Sequence, residues 1–102
     1  MQKLLEKRKS DLIAICQALN IERLYAFGSV VSGNFNEDSD IDLLISFSDT
    51  LTLDEYTNNY FELHYRLRSI FQRDVDIVTE RTLSNPYFIE SINESKVLIY
   101  EA

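Results

Sequence analysis

Apolar residues recur at helical spacing from about Lys3 to Leu19, at Leu5, Leu12, Ile15, Cys16 and Leu19, and predict a first helix. The run Leu24-Tyr25-Ala26-Phe27 then reads as a buried strand, and Gly28 supplies the backbone freedom for a sharp exit. Val30-Val31-Ser32 makes a helical turn, and the polar stretch from Gly33 to Ser39 is an exposed loop. A second strand starts at Asp40-Ile41-Asp42 and continues through Leu43-Leu44-Ile45 into the core. Thr52-x-x-Glu55 is a capping box for a long helix, whose apolar face is Leu53, Tyr56, Tyr60, Leu63, Leu67 and Ile70. Asp74 to Val78 predicts a third strand. Asn85 and Pro86 open a short helix, and Lys96 to Tyr100 forms a final strand. The pattern is that of an α/β (α+β) chain: a small mixed β-sheet packed by helices.

Two of these junctions carry candidate chemistry. A Gly-Ser pair that ends a strand and opens a helical turn directs N–H groups and a hydroxyl at one point, an arrangement suited to phosphate oxygens. At Asp40-Ile41-Asp42 the period of two places both carboxylates on one strand face, where they repel each other unless a divalent cation lies between them. Singly, a Gly-Ser is usually a turn and an Asp-x-Asp a solvated strand end. Here the two occur together as Gly-Ser-x10-Asp-x-Asp, from Gly28 and Ser29 to Asp40 and Asp42. The third strand adds Asp74 and Asp76. Asp76, enclosed by Val75, Ile77 and Val78, carries a charge that is costly without a metal or strong partner, whereas Asp74 at the strand entrance is solvated or paired with Arg73. If the three strands are adjacent, Asp40, Asp42 and Asp76 converge on the Gly28-Ser29 turn.

This spacing resembles the signature of the nucleotidyltransferase superfamily that includes polymerase β. It is most similar to the minimal nucleotidyltransferase (MNT) antitoxins of HEPN/MNT toxin–antitoxin pairs. The resemblance extends over nearly the whole chain, including Val75-Asp76-Ile77-Val78 and the segment from Asn85-Pro86 to Tyr100. It implies the polymerase-β-like fold and transfer of a nucleoside monophosphate, with ATP as donor, to a hydroxyl. By the same resemblance Asp40, Asp42 and Asp76 would hold Mg2+, Asp76 would help deprotonate the acceptor, and Gly28 and Ser29 would hold the triphosphate. The implied partner is a HEPN-type toxin, with one of its tyrosines as acceptor. Binding of the toxin without catalysis is the alternative reading. One departure stands out: similar members carry Ala-Arg before the glycine that matches Gly33, where this chain has Val31-Ser32. Arg66, Arg68 and Arg73 are the candidate replacements for that cation.

Length and composition narrow these readings. A chain of 102 residues, 45% hydrophobic and 26% charged, suits one globular domain spanning residues 1–102 without a second substrate-binding domain, so a large acceptor is expected on another molecule. The missing domain also argues against an antibiotic nucleotidyltransferase. A net charge of -7 disfavours general nucleic-acid binding. The basic cluster Lys3, Lys7, Arg8 and Lys9 reads as a solvated helix face, since Glu6 and Asp11 interrupt it. The single Cys16 lies on the apolar stripe as a buried thiol, and a reducing, cytoplasmic setting is expected, with neither a signal peptide nor a membrane span. His64 and Tyr65 are read as helix-surface residues. The nucleotide base, the acceptor and the oligomeric state are not encoded in these motifs.

Overall fold

A computed structural model describes residues 3–32, 36 and 38–102. The first helical segment is α1 (Lys3–Lys7) and α2 (Lys9–Ala18), followed by β1 (Ile21–Phe27), the short α3 (Ser29–Ser32) and β2 (Ile41–Phe47). The long α4 (Leu53–Phe71) leads to β3 (Val75–Thr79), a 3-10 turn at Glu80–Thr82, α5 (Pro86–Ser95) and β4 (Val97–Glu101). The single helix expected from Lys3 to Leu19 is bent at Arg8, whose φ and ψ of -101° and 9° leave the helical range. The hydrogen bonds Arg8 N–H to Leu4 O (3.2 Å) and Leu12 N–H to Arg8 O (2.9 Å) carry the chain across the bend.

The strands form one mixed sheet in the order β3-β2-β1-β4. β1 is antiparallel to β2 and to β4, while β2 and β3 are parallel. A parallel pair needs a crossover, and α4 provides it. That helix is well specified locally. Thr52 Oγ1 accepts from Glu55 N–H (3.2 Å), and the Glu55 carboxylate accepts from Thr52 N–H (2.9 Å), which also holds the Glu55 pKa below the usual range. At its other end Gln72 takes a left-handed φ of 55° and its N–H bonds to Arg68 O at 2.8 Å.

Strand alternation sorts the side chains into two cores. On one face Leu24, Ala26, Ile41, Leu43, Ile45, Phe47, Val75 and Ile99 pack under the apolar stripes of the first two helices and α4, including Leu12, Cys16, Leu63 and Leu67. On the other face Ile92 of α5 packs with Phe27 and Leu44 of the sheet in a smaller cluster, flanked by Tyr25, Val78 and Leu83. β2 is therefore buried on both sides, which accounts for its unbroken Leu43-Leu44-Ile45 run. Cys16 is 1% exposed and its pKa is pushed up to about 12 by burial, so it is a packing residue rather than a nucleophile. None of the described helices is long and apolar enough to cross a membrane.

Candidate active site

The α5-covered face of the sheet has three zones. Arg23, Ser46 and Glu80 form a polar network at one end, with Arg23 Nη2 donating to Glu80 (3.0 Å) and to Ser46 Oγ (3.3 Å). The small apolar cluster occupies the middle. At the far end the register sets Asp42 opposite Phe27 on β1 and opposite Asp76 on β3. Asp42 thus stands at the centre of the sheet with the Gly28 turn on one side and a second carboxylate on the other.

Gly28 is required here for two reasons. Its φ is +72°, a conformation that L side chains rarely adopt, and a Cβ on it would collide with Asp42 Oδ2. The Gly28 turn and the central carboxylate are consequently in van der Waals contact. Beyond Gly28 the chain closes a single turn: Val31 N–H and Ser32 N–H both bond to Gly28 O at 3.1 Å, and Val30, fully buried, pins the turn to the main core. Ser29 is its first residue. The N–H groups that precede those bonds have no partner within the turn.

Burial, the facing Asp76 carboxylate and the nearby Asp40 charge together push the Asp42 pKa up to about 6. Asp42 and Asp76 are close enough to share a proton, and neither has an ion-pair partner among the described residues. Asp76 itself is exposed. The expectation that Asp76 is enclosed by Val75, Ile77 and Val78 is thereby corrected: Val75 and Ile77 point to the opposite face, and an edge strand leaves the Asp76 carboxylate in solvent. Asp40, also exposed, precedes β2 on the same alternation as Asp42. Asp74 pairs with Arg68 at 3.1 Å.

No three carboxylate, histidine or thiol groups among the described residues are gathered tightly enough to enclose an ion. The site nonetheless fits magnesium, which is usually held by one or two carboxylates together with substrate phosphates and water. Asp42 and Asp76 are facing hard oxygen donors that no cationic side chain among the described residues pairs with, and their mutual repulsion is what a bound dication would relieve.

The arginines considered as replacement cations are otherwise engaged. Arg66 donates to Glu62 at 2.8 Å and Arg68 pairs with Asp74, whereas Arg73 Nη1 donates to the carbonyls of Asn36 and Ser39, both at 3.0 Å. Arg73 thus grips the backbone immediately before Asp40. The loop positions Gly33, Asn34, Phe35 and Glu37 lie outside the described residues.

A cleft of about 520 Å³ opens over the carboxylates and is lined by Gly28, Asp42, Asp76, Phe27, Phe88 and Ser91 among others. Phe88 and Ser91 come from α5, nearly fifty residues beyond the Asp-x-Asp pair. Sequence spacing gave no signal for them, because only the return of α5 across the sheet brings them there.

The family model "Polymerase beta, Nucleotidyltransferase" matches residues 10–102. The chain belongs to this nucleotidyltransferase family. Among its relatives is a protein of Methanocaldococcus jannaschii provisionally named protein adenylyltransferase MJ1379, 31% identical over 78% of this chain and 77% of the relative. A solved structure provisionally named a minimal nucleotidyltransferase is 32% identical, with a TM-score of 0.74 and 95% of both chains covered. A solved complex of a tri-AMPylated Shewanella oneidensis HEPN toxin with an MNT antitoxin shares the fold, at 21% identity and a TM-score of 0.66, covering 95% of this chain and 72% of that one. The mixed four-stranded sheet with helices on both faces is the minimal nucleotidyltransferase fold.

Proposed function

We propose that this nucleotidyltransferase is a magnesium-dependent antitoxin that moves AMP from ATP to a tyrosine hydroxyl of a HEPN-type partner toxin in the cytoplasm. The observation that carries the reading is the Asp42–Asp76 pair, set face to face by the parallel register and in contact with the Gly28 turn. Asp42 and Asp76, with Asp40 beside them, would hold the metal. When bound, magnesium neutralises phosphate charge and lowers the pKa of an attacking hydroxyl. The Gly28-Ser29 turn holds the triphosphate through its N–H groups and the serine hydroxyl. Asp76, open to solvent, takes the proton of the incoming phenol, whose unperturbed pKa is about 10. The phenolic oxygen then bonds to the α-phosphorus as the bond to the bridging oxygen breaks, and pyrophosphate leaves.

A protein acceptor is favoured by the net charge of -7, which repels nucleic acid, and by the fold shared with an antitoxin complexed with an AMPylated toxin. Added AMP places a bulky anion on the toxin. The test is co-expression with the protein encoded beside this chain, followed by mass spectrometry of that partner. AMP on a tyrosine with the wild-type chain, and none with Asp42→Asn, is the expected result. Full inhibition of the toxin without any adduct would favour the binding-only alternative.

Two further variants probe the supporting groups. Ser29→Ala should lower turnover by about 10- to 1000-fold, the scale of single donors to a reacting anion, with little loss of stability. An unchanged rate and nucleotide affinity would move the phosphate site elsewhere. Arg73→Ala frees the backbone that carries Asp40 and should weaken magnesium binding by about 10- to 100-fold, as measured by titration calorimetry. Wild-type affinity in this variant would show that Asp40 needs no such anchor.

A further inference from the structure

Phe88 stands out among the large apolar side chains. It is 42% exposed although it lines the same cleft as Gly28, Asp42 and Asp76, and it lies one helical turn before Ile92, which is fully used in the core. Burying a phenyl ring is worth about 1.5–3 kcal/mol, and of the exposed large apolar side chains among the described residues Phe88 alone lines the cleft that holds the two carboxylates. Its position is nevertheless fixed. The backbone N–H of Phe88 is held by the Asn85 cap at 3.3 Å, and its ring meets Phe27 edge to face, with centroids 6.1 Å apart and an interplanar angle of 65°. Phe27 is buried, directly precedes Gly28 and pairs with Asp42. The aromatic pair is therefore anchored within one residue of the Gly28 turn.

Resting on the nucleotidyltransferase reading of this cleft, we propose that Phe88 is the platform on which the base of the nucleoside triphosphate stacks, with Phe27 as its rigid support. The volume of about 520 Å³ falls in the range of small-ligand sites and runs unbroken from the carboxylates to Phe88. Ser91 and Ser95 follow on the same side of α5, and both line the cleft. Ser95 Oγ donates to Ser91 O at 3.3 Å, so α5 brings serines to the same cleft as Phe88, where a ribose or base edge needs polar partners. A π-face accepts any base, which makes Phe88 a determinant of nucleotide affinity more than of base identity.

The test compares two ligands in magnesium by titration calorimetry. One is an ATP analogue with a methylene between its α- and β-phosphorus atoms; the other is inorganic tripolyphosphate, which has no base. Phe88→Ala and Phe88→Leu should weaken the nucleotide analogue by about 5- to 150-fold, the range for loss of one aromatic stack, and leave tripolyphosphate binding unchanged. Phe88→Leu keeps apolar bulk on α5, so a folding defect in the alanine variant does not blur the result. Phe88→Tyr should restore affinity. The stacking assignment is overturned if nucleotide binding survives Phe88→Leu intact, or if both ligands are weakened equally. If the wild-type chain binds neither ligand, the phosphate and metal site itself is wrong, an outcome distinct from loss of the stack alone.

Discussion

Asp42→Asn should lower nucleotidyl transfer by about 1000-fold or more, because it removes the charge of the central carboxylate while leaving its shape and its register partners in place. Stability should move in the opposite direction. The pKa of Asp42 is raised in the folded chain to about 6, above the ordinary 3.8, so the folded state binds protons more readily than the unfolded one between those values. In the absence of metal, stability therefore falls as pH rises through that window, and the penalty is fully present above about pH 6. Asparagine cannot ionise. At pH 7 the metal-free variant should melt higher than the wild type, by roughly 4–8 °C if partial solvent screening reduces the gain to about 1 kcal/mol. Near pH 4, where Asp42 is largely protonated in the folded state, the two proteins should melt together. Saturating magnesium should reverse the order, since it stabilises only the chain that binds it. A variant that melts lower than wild type at pH 7 without metal would show that Asp42 is a structural carboxylate and not one half of a repelling pair.

Why the carboxylate pair was visible in the sequence, and Phe88 was not, follows from the range of the interactions involved. The capping box at Thr52 and Glu55 and the Asn85-Pro86 start of α5 are satisfied within a few residues, so local chemistry determines them. Gly28 and Asp42 were legible for a similar reason: a sharp turn after an apolar strand and two acids at a spacing of two are local patterns. Their contact was not, because it depends on β1 and β2 pairing Phe27 with Asp42. The burial argument for Asp76 failed on the same point. Apolar neighbours in sequence are not neighbours in space on a strand, and Val75 and Ile77 face α4 while Asp76 faces solvent. In sequence Leu44 belongs to one apolar run with Leu43 and Ile45, yet alternation sends it to the cluster beneath α5. A chain with two cores shows the same hydrophobic run as a chain with one. The bend at Arg8 has no local signal, since neither glycine nor proline stands there.

Gly28→Ala should be strongly damaging for the addition of a single methyl group. The left-handed backbone at φ +72° costs alanine about 1–2 kcal/mol, and the new Cβ would meet Asp42 Oδ2, an overpacking cost of about 1–3 kcal/mol more. The sum, about 2–5 kcal/mol, should lower the melting temperature by roughly 10 °C or more. Transfer should fall as well, because Asp42 must move to admit the methyl group, and Asp42 is the central carboxylate that faces Asp76. The two costs can be separated by a double-mutant cycle with Asp42→Ala, which removes the atom in the way. Gly28→Ala should cost only the backbone part, about 1–2 kcal/mol, when Asp42 is already alanine, and the difference between the two backgrounds is the contact energy. Equal costs in both backgrounds would mean that the turn and the carboxylate are not in contact. The proposed arrangement of triphosphate and metal around a shared Gly28–Asp42 centre would then fail as well.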